Sequence, residues 1–441
     1  MSALATVLSE MGHTVSGHDP SPETPFLVPL RRLGVEVQTG LAATSMSNVE
    51  AVITSTATPP DHPDVVAASS TGIAVVHRSA ALAAICAHRD TVAVAGTHGK
   101  TTTSALLATV LVGADAAPGW IVGASVAALG CSAAWGGGGP LVVEADESDG
   151  TFLALGARSA IVTNVEPDHL EYWGGEAELR AGFVEFVAAL EGAAVLCLDD
   201  AGSAALAASA AHPVTYGTDP ASDYQILGIA TDGTGVRFTL RHDGVDLEVV
   251  VPAAPGDHNA RNATAALVMA HQLGIDLPVA IGAMASFRGV ARRFEVRGEA
   301  AGVMLVDSYD HLPTEVAAAL AAARAGRWKR VVCCFQPHRF SRTEAQWHNF
   351  AHAFGAADLL VITEIYAAGE APRPGVTGRL LVDAVLDAHP SKRVAWMPAL
   401  DDVVTYLAAT VRPGDLCITL GAGDLTSVPD RVLAVLQERE R

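Results

Sequence analysis

The chain has 441 residues, enough for about three domains at roughly 150 residues each. Asp and Glu number 48 against 28 Lys and Arg, and the net charge of −20 excludes binding a nucleic-acid backbone or an anionic membrane through the overall field. Half of the residues are hydrophobic and only 17% are charged, a profile that builds cores and argues against disorder.

In chain order, residues 2–12 read as a helix and 14–16 as a strand ending in Gly17-His18-Asp19, with further strands at 35–38, 51–54 and 73–76. This is the pattern of a small Rossmann-like sheet, but it begins with a helix. The first strand and the glycine turn that would bind a diphosphate are expected to be missing, through a start codon assigned too far downstream or a damaged site. A second segment opens with a strand at 91–95, and a third holds strands at 303–306, 331–335, 359–363, 393–396 and 416–420 with helices between them. Short apolar runs alternating with amphipathic helices indicate α/β layers. The expected fold class is therefore α/β in three domains: 1–89 Rossmann-like, 90–293 P-loop ATPase-like and 294–441 Rossmann-like.

The six cysteines, Cys86, Cys131, Cys197, Cys333, Cys334 and Cys417, form no C-x-x-C pair and read as buried free thiols of a reducing compartment. No basic-then-apolar signal opens the chain. The longest apolar stretch, 106–129, is broken by Asp115 and Pro118, so a cytoplasmic protein without membrane insertion is expected.

Gly96-Thr97-His98-Gly99-Lys100-Thr101-Thr102-Thr103 follows a strand and precedes a helical run at 104–111. That context suits a phosphate-binding loop: backbone N–H groups and the helix N-terminus face phosphates, Lys100 reaches the terminal ones, and a threonine hydroxyl binds Mg²⁺. The spacing is not the strict pattern, because Val94 stands where the first glycine would be. A strand at 140–143 then exits into Glu144-Ala-Asp146-Glu147-Ser-Asp149, where Glu144 is a candidate Mg²⁺ ligand. The strand at 159–163 exits into Asn164-Val-Glu166-Pro-Asp168-His169, and His169 is a candidate second metal ligand. Gly256-Asp257-His258-Asn259-Ala-Arg261-Asn262 introduces a helical run at 263–273, and its Asn amides suit an adenine edge.

Together with Phe287-Arg-Gly-Val-Ala-Arg-Arg-Phe-Glu295, Gln336-Pro-His-Arg-Phe-Ser-Arg342 and Gly421-Ala-Gly-Asp424, these motifs resemble those of the Mur ligases, in the family's order and over nearly the whole chain. Within the family the chain resembles the branch that adds L-alanine to UDP-N-acetylmuramate in peptidoglycan precursor synthesis. The resemblance implies domains for the UDP-sugar, for ATP and for the amino acid. It implies that ATP phosphorylates the lactyl carboxylate and that the amine of L-alanine attacks the acyl phosphate, giving an amide, ADP and phosphate.

Carried over by position, Gly96 to Thr102 cradle ATP with Lys100 at its phosphates, and Thr101 and Glu144 hold one Mg²⁺ while His169 helps hold a second. Asn259 and Asn262 lie near the adenine, and Arg292 or Arg293 reaches phosphate. Asp307 joins the cofactor-binding set, and Arg339 and Arg342 bind carboxylate or phosphate groups of the substrates. A carboxylate attacking a triphosphate brings anions together, so a lysine, Mg²⁺ and arginines are sensible types independently of the resemblance. Domain closure excluding water from the acyl phosphate is expected, with a monomer or homodimer as the assembly.

Two departures stand out. The glycine turn that the family carries before residues 1–5 is expected to be missing, and the usual Asp-Asp-Tyr-Ala-His-His-Pro reads Asp307-Ser308-Tyr309-Asp310-His311-Leu312-Pro313. Altered amino-acid choice or lower activity is one expectation from Ser308, while His311 stays a candidate for orienting or deprotonating the amine. The alternatives are a sister ligase that re-attaches a recycled tripeptide, against which Ser148 sides, and a catalytically weakened nucleotide-binding sensor.

Overall fold

The computed structural model describes residues 1–19, 27–39 and 46–440. They gather into two compact units, one of residues 1–227, 240–247 and 261–286, the other of 228–239, 248–260 and 287–441.

In the first unit, β1 (Ser16–Asp19) pairs in parallel with β2 (Glu36–Thr39), and β3 (Ala51–Thr54) with β4 (Ala74–His77). The one small sheet expected at the start of the chain is thus two separate parallel pairs among the described residues. Each pair flanks its own crossover helix, Leu27–Arg32 or Pro63–Thr71, and four-residue strands with mostly half-buried or exposed side chains offer little surface for a wider ladder.

The large sheet is built from β5 (Thr91–Ala95), β6 (Gly119–Val126), β7 (Cys131–Ala134), β8 (Leu141–Glu144), β9 (Ser159–Val162), β10 (Ala194–Cys197), β11 (Pro213–Gly217), β12 (Tyr224–Asp232), β13 (Gly235–His242) and β14 (Val245–Val251). Its order is β14-β13-β12-β11-β10-β9-β5-β8-β6-β7. β6, β8, β5, β9, β10 and β11 run parallel, and β7 turns back antiparallel to β6. β5 is buried along its whole length, as a strand covered on both faces must be. On one face, Ala93 and Ala95 pack with Leu4 and Val7 of the helix Ser2–Glu10 and with Phe152, Phe183 and Phe186. The parallel order places the carboxyl ends of β5, β8 and β9 side by side, where open α/β sheets hold ligands.

Two helices start earlier than their sequences suggest. The helix after β5 spans Lys100–Gly113, because Gly99 at φ 82° turns the chain directly into it. The later one spans Asp257–Gln272, so Asn259 and Asn262 stand inside the helix and not in a loop ahead of it. Runs of Thr, and of Asn and Asp, hide a helix start because such residues favour caps and turns.

In the second unit, β15 (Glu295–Ala300), β16 (Val303–Ser308), β17 (Arg330–Phe335), β18 (Leu359–Ile362), β19 (Val394–Trp396) and β20 (Asp415–Leu420) form a sheet of order β15-β16-β20-β17-β18-β19. All neighbours are parallel except the β15–β16 pair. β15 was not anticipated: it is a bulged edge strand whose Glu-Val-Arg-Gly-Glu-Ala sequence carries no apolar run. The side-chain alternation of β17 sends Val331, Cys333 and Phe335 to a face covered by Leu320, Phe354 and Leu381. Val332 and Cys334 go to the other face, with Val403, Leu407 and Leu436. This is the doubly wound arrangement expected for the third segment.

All six cysteines are free and five are buried. Burial pushes the Cys86 thiol up to about 11 and Cys417 up to about 12, so neither is a reactive thiolate near neutral pH. Among the described residues no helix is long and apolar enough to cross a membrane.

Candidate active site

In the first unit the loop between β5 and the helix Lys100–Gly113 is shaped by two glycines. Gly96 adopts φ 126°, and a Cβ there would sit 2.2 Å from Thr163 Oγ1. Gly99 adopts φ 82°, and a Cβ would sit 2.6 Å from Asn262 Oδ1. Only glycine fits either conformation and either space. The end of β9 stitches the loop in place. Thr97 N donates to Asn164 O at 3.1 Å, His98 N donates to Asn164 Oδ1 at 2.8 Å, and Glu166 N donates to Thr97 Oγ1 at 2.9 Å. Asn164 and Glu166 are therefore loop-holding residues, although within this motif the sequence pointed to His169.

Four carboxylates crowd into residues 144–149, and each has a specific role. Lys100 Nζ donates to Glu147 Oε2 at 2.7 Å and to Gly96 O at 2.6 Å. Burial alone would lower the Lys100 pKa, but the charges of Glu147, Asp146 and Glu144 raise it above the ordinary value, so the ammonium persists. Thr101 Oγ1 donates to Glu144 Oε1 at 2.8 Å, and Gly123 N donates to Glu144 Oε2 at 2.5 Å. Arg78 Nη2 meets Asp149 Oδ2 at 2.8 Å and Asp146 Oδ2 at 3.2 Å. Burial pushes both aspartates up, yet hydrogen bonds from Ser148 and Thr151 and the charges of Arg78 and Lys100 hold them below the usual carboxylate range. Glu147 and Arg78 belong to the site's architecture and were not singled out from sequence. The acidic run was visible, but only the tertiary contacts assign its partners.

Thr101 and Glu144 are thus brought together as a hydroxyl and a carboxylate at two neighbouring strand ends, a hard oxygen pair of the kind Mg²⁺ prefers. His169 lies at the end of the loop that follows β9. It caps the short helix Leu170–Trp173 with φ 53°, and its Nε2 lies 3.4 Å from Asp168 Oδ2. Among the described residues neither Glu144 nor His169 falls in a convergent group of three His, Cys, Asp or Glu ligand atoms. Asn262 lies against Gly99 of the loop after β5, whereas Asn259 Nδ2 donates back to Pro255 O at 2.8 Å. Thr102 is buried in the first turn of the helix Lys100–Gly113.

In the second unit a cluster surrounds the carboxyl end of β16. Asp307 is 1% exposed and accepts from Thr419 Oγ1 at 2.7 Å and Thr426 Oγ1 at 2.6 Å, with Arg292 Nε at 3.4 Å. Arg292 also donates to Gly421 O at 2.7 Å, and its guanidinium lies 4.9 Å above the Tyr309 ring. Arg293 lies 5.3 Å from the same ring and 3.8 Å from Asp310. Ser308, at the position where an acid was anticipated, is buried; it donates to Asp310 Oδ2 at 2.6 Å and accepts from Phe294 N at 3.0 Å. Leu312 is buried just before the helix Pro313–Ala325, and the amides of His311 and Leu312 ahead of that helix donate to its Glu315. Ser308 and Leu312 therefore both sit in packed positions.

His311 Nδ1 donates to Tyr309 O at 3.0 Å, which leaves Nε2 as the acceptor. Burial lowers its pKa below the ordinary histidine value, and Arg342 and Arg293 add to this against the pull of Glu315. Its ring stands edge-on to His338 at 5.4 Å. His338, held down to about 3 by burial and the neighbouring cations, accepts from Arg342 Nη1 at 3.2 Å. Arg339 is exposed, with its backbone at φ 69° as it enters the helix Phe340–Gln346. Arg342 thus engages His338 while Arg339 faces outward. His338 was quoted within its motif but not chosen from sequence, since its importance lies in the rings packed around it.

Comparison with known proteins places these features in a family. Family profiles described as "Mur ligase family, catalytic domain", "Mur ligase middle domain" and "Mur ligase, glutamate ligase domain" match residues 1–90, 94–270 and 292–423. The chain is 42% identical over 440 residues to a UDP-N-acetylmuramate–L-alanine ligase of an Anaeromyxobacter species, covering 99% of this chain and 95% of that protein. It is 44% identical over 449 residues to the enzyme of that name from Kineococcus radiotolerans, covering 100% and 94%. Among solved structures, the UDP-N-acetylmuramate-alanine ligase of Thermotoga maritima superposes with a TM-score of 0.84 at 27% identity, covering 100% of this chain and 97% of that one. A murein peptide ligase from Psychrobacter arcticus shares the fold with a TM-score of 0.71 at 23% identity, covering 99% and 96%.

Proposed function

The chain belongs to the Mur ligase family, and from that premise we propose that it is the ATP-dependent ligase joining L-alanine to the lactyl carboxylate of UDP-N-acetylmuramate, through an acyl phosphate, in peptidoglycan precursor synthesis. The observation that carries this reading is the joint placement of Lys100 and the Thr101–Glu144 pair at the carboxyl ends of β5 and β8. It comes with full-length identity to ligases of that name.

The loop amides of Gly96 to Thr102 bind the ATP phosphates, and protonated Lys100 offsets charge on the phosphoryl group as it passes to the carboxylate. Glu147 holds the Lys100 side chain against the loop. Thr101 and Glu144 fit a Mg²⁺ ion, since both offer hard oxygens at one point. Bound there, the ion would screen the phosphate charge. Arg292 and Arg293, fixed around Tyr309, supply positive charge for phosphate or carboxylate, and Arg339 and Arg342 hold carboxylate groups of the substrates. His311, neutral near pH 7 with Nε2 as acceptor, takes a proton from the amine of L-alanine. Asn259 and Asn262 are assigned to the adenine, and His169 to a second ion. The net charge of −20 and the free thiols agree with a cytoplasmic enzyme that uses small-molecule substrates.

The test is phosphate release measured with ATP, Mg²⁺, UDP-N-acetylmuramate and L-alanine, omitting each in turn. Release that requires both the UDP-sugar and alanine is expected. Release with a recycled tripeptide but not alanine would move the chain to the sister ligase, and nucleotide binding without release would make it a sensor.

A further inference from the structure

Outside the site described above, one cluster of metal-ligating side chains lies in the N-terminal segment of the first unit. His18 is on β1, His62 caps the helix Pro63–Thr71, and Asp64 is the second residue of that helix. One ligand atom from each side chain lies within 4.8 Å of the others, the one such trio of His, Cys, Asp or Glu among the described residues. His18 Nδ1 is 2.9 Å and His62 Nδ1 is 3.9 Å from Asp64 Oδ2, and the two imidazoles meet edge-on at 5.0 Å. The side chains are 7%, 22% and 12% exposed for His18, His62 and Asp64, so the cluster is largely shielded yet reachable along His62.

We propose that His18, His62 and Asp64 bind one transition-metal dication of the zinc, cobalt and nickel class. In a tetrahedral site with bonds of about 2.0–2.1 Å, ligand atoms stand roughly 3.3 Å apart. The two separations to Asp64 Oδ2 bracket that figure, and all three ligand atoms lie within 4.8 Å of one another. Two imidazoles and one carboxylate suit borderline ions and not Mg²⁺ or Ca²⁺, which prefer all-oxygen sets. His62 Nδ1 now accepts only a long hydrogen bond, 3.3 Å from Asp64 N, which a metal bond can replace. Three protein ligands leave a fourth position for water or another donor. A bound ion ties β1 to the helix Pro63–Thr71, two elements 44 positions apart at their nearest described residues. It would stabilise the segment by mass action.

The experiment is titration of the chelator-stripped full chain with Zn²⁺ against a chromophoric competitor, in millimolar Mg²⁺, followed by Co²⁺ substitution and its visible spectrum. One equivalent is expected to bind, with a Co²⁺ spectrum that lacks thiolate charge transfer, and Tm should rise with the metal. H18Q and H62Q should each weaken binding by at least the roughly 10–100-fold that loss of even an outer-shell partner costs. H352Q, which removes the exposed His352–His389 pair 3.0 Å apart, should leave the equivalent intact. Should H18Q fail to fold, H62Q at the outer edge of the cluster carries the test, with circular dichroism confirming its fold. Zinc bound equally by wild type, H18Q and H62Q, lost in H352Q, or not bound at all would overturn the proposal and leave an ordinary hydrogen-bonded His–Asp link.

Discussion

The phosphate loop of the first unit and the β16 cluster of the second both gather charge at the carboxyl end of a parallel sheet, but by different means. In the loop, consecutive residues do the work. Gly96 and Gly99 set the backbone, Lys100 and Thr101 follow at once, and only Glu144 and Glu147 come from the next strand end. Around β16, charged and polar residues spread from Arg292 to Arg342 converge, and two of them are consumed in holding the fold: Asp307 by Thr419 and Thr426, Ser308 by Asp310 and Phe294. A contiguous motif thus reads directly as chemistry. A dispersed one mixes chemistry with packing, and the residue type alone does not tell which role a position has.

The largest expected effect probes the contiguous region. Lys100→Ala should lower kcat for phosphate release on the order of 10³-fold while leaving the thermal midpoint near wild type, because it removes charge stabilisation at the transferring group. Near-normal turnover would break the contrast by showing the loop to be structural.

Next in size, His311→Gln should cost on the order of 10²-fold in kcat/KM for L-alanine. The folded pKa of His311 lies below its unfolded value, so the wild-type rate should be full near neutrality and decline as pH falls through that lowered value. Stability should decline somewhat earlier, as pH falls from the unfolded value to the lowered one, since the unfolded chain takes up the proton first. A profile in which H311Q keeps the acid limb would remove His311 from proton transfer and leave it as packing.

Glu144→Gln should raise the Mg²⁺ concentration for half-maximal activity roughly 10–100-fold, and an unchanged metal titration would take Glu144 out of the ion site. The smallest effect tests the dispersed region's structural share. Asp307→Asn should destabilise the fold by about 1–3 kcal/mol in denaturant unfolding, with KM for ATP and alanine little altered. The opposite pattern, full stability with impaired substrate kinetics, would place Asp307 at the substrate and erase the distinction drawn between the two regions.

The sequence alone identified the α/β class, five of the six strands of the β15–β20 sheet and the glycine-shaped turn between β5 and its helix, because these depend on local period and on glycine, lysine and threonine in immediate succession. Its edge strand β15 escaped because an exposed strand with a bulge has no apolar run to betray it. The helix starts at Lys100 and Asp257 were obscured by residues whose own propensity is for caps.

Partners were the other hidden layer. The acids of residues 144–149 were legible as a run, yet their division among Lys100, Thr101 and Arg78 required β5, β8 and the helix Arg78–Cys86 to be brought together. His338 beside His311, and His18 beside Asp64, likewise join residues 27 and 46 positions apart, respectively. Backbone conformation and periodicity are short-range properties written in neighbouring residues. Which charge meets which is set by long-range packing of elements, and that only the folded chain decides.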